Sequence, residues 1–137
     1  MIDVAAGVII HNGKILIARR KVPGFSDEMW EFPGGKIRTG ETPEQCLVRE
    51  IREELDMEVE VIGFIGESIY KYPNRTIRLL AYVVRWLDGE PRLKDHSAVS
   101  WVSPDALDKY EFAPADVPIV RLIVESTNIL SPKKANN

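Results

Sequence analysis

The segment TPEQCLVREIREEL, residues 42–55, constrains the fold most strongly, because it predicts one capped amphipathic helix. Thr42 is a suitable N-cap, Pro43 suits the first helical position, and Gln45 completes a capping box three residues after the cap. The apolar residues that recur at helical spacing are Leu47, Val48, Ile51 and Leu55. The sequence therefore predicts a helix from about Pro43 to Leu55 with one buried face.

Extended segments on both sides of this helix predict a β-sheet. VAAGVII and ILIARR predict two strands around a turn with Asn12-Gly13 at its tip. VEVIGFIGESIYKY and TIRLLAYVVRWL predict two long strands joined by a turn, and AVSWV predicts a shorter strand. MWEF predicts a short extended piece that ends at Pro33, and the Gly34-Gly35 pair after it predicts a flexible loop.

Two further helices are predicted near the C-terminus. SPDALDKY predicts a short helix capped by Ser103, and APADVPIVRLIVEST predicts a last helix that begins near Pro114 or Asp116. Strands and helices therefore mix in one α/β or α+β domain, for which we expect residues 1–130. Residues 131–137, SPKKANN, are expected to form a frayed tail.

Length, cysteine content and charge bound the class of protein. A chain of 137 residues is near the usual size of one domain. The single cysteine, Cys46, excludes an internal disulfide framework, and the lack of a signal pattern agrees with a cytoplasmic protein. Apolar runs are too short to span a membrane. A net charge of −3 with scattered basic residues argues against broad nucleic-acid binding, and a monomer and a homodimer both stay open.

The predicted helix also carries three glutamates on one side. Because an α-helix turns about 100° per residue, Glu54, Glu50 and Glu53 fall at about −60°, −100° and −160° from Ile51. Each facing pair of like charges costs roughly 0.2–0.5 kcal/mol, and anions in the C-terminal half oppose the helix dipole. A solvated acidic face is the simpler alternative. A divalent cation would instead turn this repulsion into binding energy and let an acidic protein bind a polyphosphate.

The segment PGGKIRTGE places a glycine pair shortly before the acidic helix. Backbone carbonyl or N–H groups of Gly34-Gly35 can approach a metal or a phosphate closely, because neither residue has a side chain. A plain turn is the alternative for a glycine pair taken alone.

The acidic helix and the glycine pair together resemble the Nudix box. Its positions are matched here by Gly35, Glu41, Arg49, Glu50, Ile51, Glu53, Glu54 and Met57. One position departs, since Asp56 stands where the family has glycine. Asp tolerates the left-handed conformation that ends a helix better than most residues, so we expect a modest loss of stability and little chemical effect.

The resemblance extends to the MutT-like branch of the Nudix hydrolases and covers most of residues 1–125. WEFPGGKIRTGETPEQCLVREIREEL, GEPRLKDHSAVSWVSP and FAPADVPIV carry it, and they are similar to 8-oxo-dGTP diphosphatases and bacterial CTP pyrophosphohydrolases. The resemblance implies an α/β fold, namely an α/β/α sandwich with a central mixed β-sheet. It also implies a reaction in which water attacks a phosphorus of a nucleotide, with Mg²⁺ as cofactor and Mn²⁺ as its substitute.

Roles for single residues follow from the same resemblance. Glu50, Glu53, Glu54 and the carbonyl of Gly34 match the metal ligands. Arg49 orients a carboxylate by a charge-assisted hydrogen bond. Glu50, Glu53 and Arg49 are therefore candidate catalytic residues, and the alternatives are a solvated acidic face and a surface ion pair.

Further candidates lie outside the box. Asp95 is in the loop RLKDHS, where MutT-like proteins carry an acidic metal ligand or base, and His96 beside it can titrate near neutrality. An exposed loop is the alternative for both. Asp116 can accept a hydrogen bond from an exocyclic amine or, when protonated, donate one, and a helix N-cap is its alternative. The positions that match nucleotide contacts are Arg20, Phe32, Arg75 and Asp116.

Three functional hypotheses follow. The first is a metal-dependent pyrophosphohydrolase that cleaves modified or pyrimidine nucleoside triphosphates to a nucleoside monophosphate and pyrophosphate. The second is hydrolysis of another nucleoside diphosphate conjugate, such as ADP-ribose, a dinucleoside polyphosphate or capped RNA. The third is a nucleotide-binding regulatory domain without turnover.

Overall fold

A turn of two left-handed residues begins the sheet. Asn12 and Gly13 have φ values of 52° and 74°, so the chain reverses within two residues and His11 pairs with Lys14. The computed structural model describes residues 1–130. Its elements are β1 (Ile2–His11), β2 (Lys14–Lys21), β3 (Glu28–Glu31), β4 (Gly34–Lys36), α1 (Pro43–Leu55), β5 (Glu58–Tyr72), β6 (Arg75–Asp88), β7 (Ala98–Val102), a 3₁₀ helix (Pro104–Lys109) and α2 (Val117–Leu130).

Strand β1 joins parallel and antiparallel neighbours in one sheet. It runs parallel to β6, with Ile2 opposite Ile77 and Ile10 opposite Arg85, and antiparallel to β2 and β4. Strand β2 also pairs antiparallel with β3 and β7, and β5 pairs antiparallel with β6. The predicted mixed sheet is confirmed.

Residues of β1 point alternately into two separate cores. Ala5 and Ile9 belong to the cluster that contains Leu47 and Ile51 of α1. Ala6 and Val8 belong to the other cluster, which contains Ile119 and Val120 of α2. This alternation is the period of a strand, and it places one helix on each face of the sheet. The predicted α/β/α sandwich is therefore confirmed.

Helix α1 has the predicted bounds and the predicted cap. The N–H of Gln45 donates to Oγ1 of Thr42 at 3.1 Å, and the N–H of Thr42 donates to Oε1 of Gln45 at 3.0 Å. The helix ends at Leu55, and Asp56 follows in the left-handed conformation with φ 58° and ψ 35°. Asp56 therefore adopts the conformation for which the family pattern has glycine.

The glycine pair was predicted to be a flexible loop, and this prediction is wrong. Gly34 and Gly35 lie in β4, where they pair with Ala6 and Ala5 of β1. A Cβ atom on Gly34 would stand 1.9 Å from the carbonyl oxygen of Ala5. Glycine is needed at position 34 because two backbones meet there, which the local sequence pattern does not reveal.

The C-terminal part departs from the prediction in detail. Residues 104–109 form a 3₁₀ helix, and Ser103 in front of it makes no side-chain cap hydrogen bond. Helix α2 begins at Val117, directly after Asp116, near which its start was predicted. Across residues 1–130, helices are too short or too polar to cross a bilayer. The tail prediction for 131–137 lies outside the described residues.

Candidate active site

Arg49 forms hydrogen bonds with Glu41, which precedes α1, and with Glu50 and Glu53 in the C-terminal half of α1. Its Nε and Nη2 donate to the two oxygens of Glu41 at 2.6 and 2.9 Å, a bidentate pair. Its Nη1 donates to Glu50 at 2.5 Å and to Glu53 at 3.0 Å. The hydrogen bonds that Glu41 accepts from Arg49 and from the N–H of Arg38 lower its pKa to about 2. The predicted contact of Arg49 with carboxylates is present, and its catalytic role stays a prediction.

Glu54 is the buried member of the acidic face. Its Oε1 atom has no hydrogen-bond partner within residues 1–130. Burial raises the pKa of this carboxyl to about 7, repulsion from Glu31 and Glu50 adds to the rise, and His96 and Arg20 oppose it. A buried carboxylate with an unpartnered oxygen can accept a further positive charge, which a metal ion would supply.

Glu50 packs directly on the glycine pair. A Cβ atom on Gly35 would stand 2.0 Å from Oε2 of Glu50. Glycine at position 35 therefore gives this carboxylate its space, beside the backbone of β4. The carbonyl of Gly34, the predicted backbone ligand, belongs to the same strand.

The donor set fits a hard divalent cation, although it is not assembled into a ligand cage. Within the described part of the chain, groups of three or more His, Cys, Asp or Glu side chains in a metal-binding arrangement are absent. Glu50 and Glu53 are instead turned toward Arg49. The unpartnered oxygen of Glu54 and the carboxylate chemistry of the helix are the ligand types that Mg²⁺ prefers.

The raised pKa of Glu54 predicts a pH-dependent penalty in the metal-free protein. Its pKa rises from 4.5 to about 7 on folding, so stability falls as pH rises through this window and the full penalty stands above pH 7. The upper bound on this loss in the free energy of unfolding is about 3 kcal/mol. In thermal unfolding with chelator, Glu54→Gln should be more stable than the original protein at pH 8 by about 1–3 kcal/mol, and nearly equal to it at pH 4, below the unfolded pKa.

The exposed Glu53 provides the matched control, because its side chain is 51% accessible. Glu53→Gln should leave the metal-free unfolding temperature nearly unchanged at both pH values. Equal increases in the stability of both variants at pH 8 would mean that the lower net charge, rather than the burial of Glu54, causes the stabilisation.

The four residues predicted to contact nucleotide line one cavity of about 280 Å³. They are Arg20, Phe32, Arg75 and Asp116. Gly34 and Gly35 line the same cavity, and Gly35 also touches Glu50 of α1. The cavity and the acidic helix therefore meet at the glycine pair.

Asp116 stands directly before α2, where its carbonyl accepts from the N–H of Val120 at 3.0 Å, and it lines the cavity. Its Oδ2 accepts a hydrogen bond of 3.0 Å from the N–H of Phe32, 84 positions away in the sequence. The residue is 5% exposed, and burial raises its pKa well above the usual range, with repulsion from Glu31 adding to the rise. The hydrogen bond from Phe32 therefore links the start of α2 to the end of β3.

Sequence reasoning missed Glu31, which links the cavity to the loop of Asp95. Its Oε2 lies 3.1 Å from Nε of Arg20 and 2.8 Å from Nε2 of His96. The side chain of His96 is fully buried, whereas Asp95 is exposed. A glutamate three residues before Gly34 has no spacing signal of its own, because its partners lie on other elements.

Comparison with known proteins places this geometry in a family. The sequence profile of the NUDIX domain matches residues 1–123. The CTP pyrophosphohydrolase of Escherichia coli K12 is 38% identical over 120 residues, which cover 88% of this chain and 89% of that protein. The 8-oxo-dGTP diphosphatase of the same strain is 36% identical over 120 residues, which cover 87% and 93%.

Solved structures agree with the sequence relatives. The solution structure of the E. coli ORF135 protein superposes with a TM-score of 0.80 at 36% identity and covers 92% of this chain and 90% of that one. The MutT protein from methicillin-resistant Staphylococcus aureus 252 superposes with a TM-score of 0.72 at 36% identity, covering 90% and 95%. This chain therefore belongs to the Nudix hydrolase family, in its MutT-like branch.

Proposed function

We propose that this protein is a metal-dependent pyrophosphohydrolase that cleaves nucleoside triphosphates to a nucleoside monophosphate and pyrophosphate. The observation that carries the proposal is the shared glycine pair, which lines the cavity of Asp116 and Phe32 and also touches the acidic helix. A nucleotide base in the cavity would thus place its phosphates toward the carboxylates. The relatives named for hydrolysis of CTP and of 8-oxo-dGTP support the same reaction class.

The carboxylates and Arg49 have distinct tasks in this proposal. Glu50, Glu53, Glu54 and the carbonyl of Gly34 would hold Mg²⁺, with Mn²⁺ as a substitute. When bound, such an ion neutralises phosphate charge and lowers the pKa of a bound water. Arg49 keeps Glu50 and Glu53 oriented through hydrogen bonds, and Asp95 is a candidate base or further ligand.

The base and sugar would be read by the cavity residues. The N–H of Phe32 donates to Oδ2 of Asp116 and so orients this carboxyl group, which can accept a hydrogen bond from the edge of a base or, when protonated, donate one. Arg20 and Arg75 contribute positive charge to the same cavity. Hydrolysis of nucleoside diphosphate conjugates and nucleotide binding without turnover remain alternatives to be tested, as do the predicted cytoplasmic location and the choice between monomer and homodimer.

A side-by-side substrate panel tests this proposal. We expect turnover of at least one of 8-oxo-dGTP, dCTP, 5-methyl-dCTP and CTP in saturating Mg²⁺, with equal amounts of monophosphate and pyrophosphate. Preferred turnover of ADP-ribose would favour the conjugate alternative. Binding with no turnover of any compound in Mg²⁺ or Mn²⁺ would favour a regulatory domain.

Asp116→Ala should weaken selection among bases. Removing a buried group that pairs with a base edge costs about 1–3 kcal/mol, so kcat/KM for the preferred substrate should fall roughly 10- to 100-fold. The kcat/KM of the poorest substrates should fall less, so the differences in kcat/KM across the substrate panel should narrow. Arg121→Ala is a control on the exposed surface of α2 and should leave the ratios of kcat/KM between substrates unchanged. An equal loss for every substrate would contradict base selection by Asp116.

A further inference from the structure

The loop of residues 89–97 joins β6 to β7 and carries Asp95. Its residues have no regular secondary structure, and most of them are exposed to solvent. His96 is the exception, since it is the buried residue of this loop and its side chain has 0% accessibility. A fully buried histidine in an otherwise exposed loop fixes where its neighbour Asp95 can lie.

Contacts at Arg92, His96 and Ser97 attach this loop to elements around the candidate site. Near its start, the N–H of Arg92 donates to the carbonyl of Leu55, the last residue of α1, at 2.8 Å. At its end, the N–H of Ser97 donates to the carbonyl of Arg19 on β2 at 2.8 Å. Between them, Nε2 of His96 lies 2.8 Å from Oε2 of Glu31 on β3. The His96–Glu31 contact is therefore the attachment next to Asp95.

The side chain of Glu31 is held in place by its surroundings. Its side chain is 13% exposed, and its Oε2 lies 3.1 Å from Nε of Arg20. Both Glu31 and His96 also lie close enough to Glu54 to influence its carboxyl group. A chain of contacts thus runs from the cavity through Glu31 to the loop, along the buried side of the acidic helix.

We infer that His96 is a positioning residue for the reaction, which holds the Asp95 loop against the candidate metal site through Glu31. The inference rests on the proposed function, because the position of His96 affects the reaction only if Asp95 takes part in catalysis. His96 itself need not touch the substrate, since the four predicted nucleotide-contact residues line the cavity and His96 is absent from its lining. The loop would otherwise be tied only at its two ends.

A double-mutant cycle tests this inference in the full chain. We expect His96→Ala to lower kcat about 10- to 100-fold, as losing an outer-shell partner of a metal site does, while KM changes less than about threefold. His96→Gln, which can still donate to Glu31, should recover part of the rate. The double variant His96→Ala/Asp95→Asn should have the same kcat as Asp95→Asn alone, because both changes remove the contribution of a correctly placed Asp95.

Controls separate this inference from folding defects and from the proposed function. His11, the other histidine, is exposed at the β1–β2 turn, so His11→Ala should keep the original kcat. If His96→Ala does not fold, the His96→Gln and Asp95→Asn pair completes the cycle. Three results would each overturn the inference. They are an unchanged kcat in folded His96→Ala, a kcat in the double variant that falls by the product of the two single losses, and full activity of Asp95→Asn. Pyrophosphate release by the unaltered protein would still support the proposed function in all three cases.

Discussion

Glu53→Gln is expected to lower kcat for pyrophosphate release by about 10³-fold. The change removes one negative charge from the acidic face and keeps the shape of the side chain. Because the Glu53 side chain is 51% exposed, its loss should cost little stability. The loss should therefore appear in turnover and in the Mg²⁺ concentration needed for activation, with an unfolding temperature near that of the original protein.

Glu44→Gln is the matched control for this experiment. Glu44 is an exposed glutamate in the first turn of the same helix and has no predicted role in the site. It should keep full activity in the same pyrophosphate assay. Full release by Glu53→Gln, or an equal loss in both variants, would contradict the assignment of the acidic face to catalysis.

Alanine at the two neighbouring glycines should have opposite consequences. In Gly34→Ala the new Cβ would meet the carbonyl oxygen of Ala5 at 1.9 Å, and both partners are backbone that cannot move independently. We expect a loss of about 3 kcal/mol or more, which lowers the unfolding temperature by roughly 10 °C. The measurement is thermal unfolding followed by circular dichroism.

Gly35→Ala should instead fold and lose activity. Its Cβ would meet Oε2 of Glu50 at 2.0 Å, and this carboxylate can rotate away. Displacing a catalytic group by about 1 Å can cost roughly 10²-fold in rate, so kcat should fall by that order. The two variants serve as controls for each other. A stable Gly34→Ala protein, or a fully active Gly35→Ala protein, would contradict the close contacts on which this contrast depends.

Local patterns in the sequence were sufficient to predict α1 and the sheet around it. The capping box of Thr42 and Gln45 and the apolar spacing through Leu55 depend on residues within one helix, so they are readable without tertiary structure. The hairpin at Asn12-Gly13 is equally local. The resemblance to the Nudix family then supplied the layer architecture, which local periodicity had left as α/β or α+β.

Contacts between distant residues could not be predicted in this way. The strand at Gly34-Gly35 exists because β1 approaches it, the side-chain hydrogen bond of Asp116 leads to Phe32, and Glu31 meets His96 65 positions later. Each contact brings together segments that are far apart in the chain. Helical geometry separated Glu50 and Glu53 from the buried face, but it did not predict that Glu54 is buried or that Arg49 forms a bidentate pair with Glu41.

The most direct test of the central claim is a Mg²⁺ titration of the metal-free protein, with pyrophosphate release from the preferred triphosphate as the readout. If the acidic face of α1 is a metal-dependent catalytic site, release should be negligible in chelator and should rise to saturation with Mg²⁺. Glu53→Gln should stay near the baseline over the same range. Full pyrophosphate release in chelator, or normal Mg²⁺ activation of Glu53→Gln, would contradict the claim.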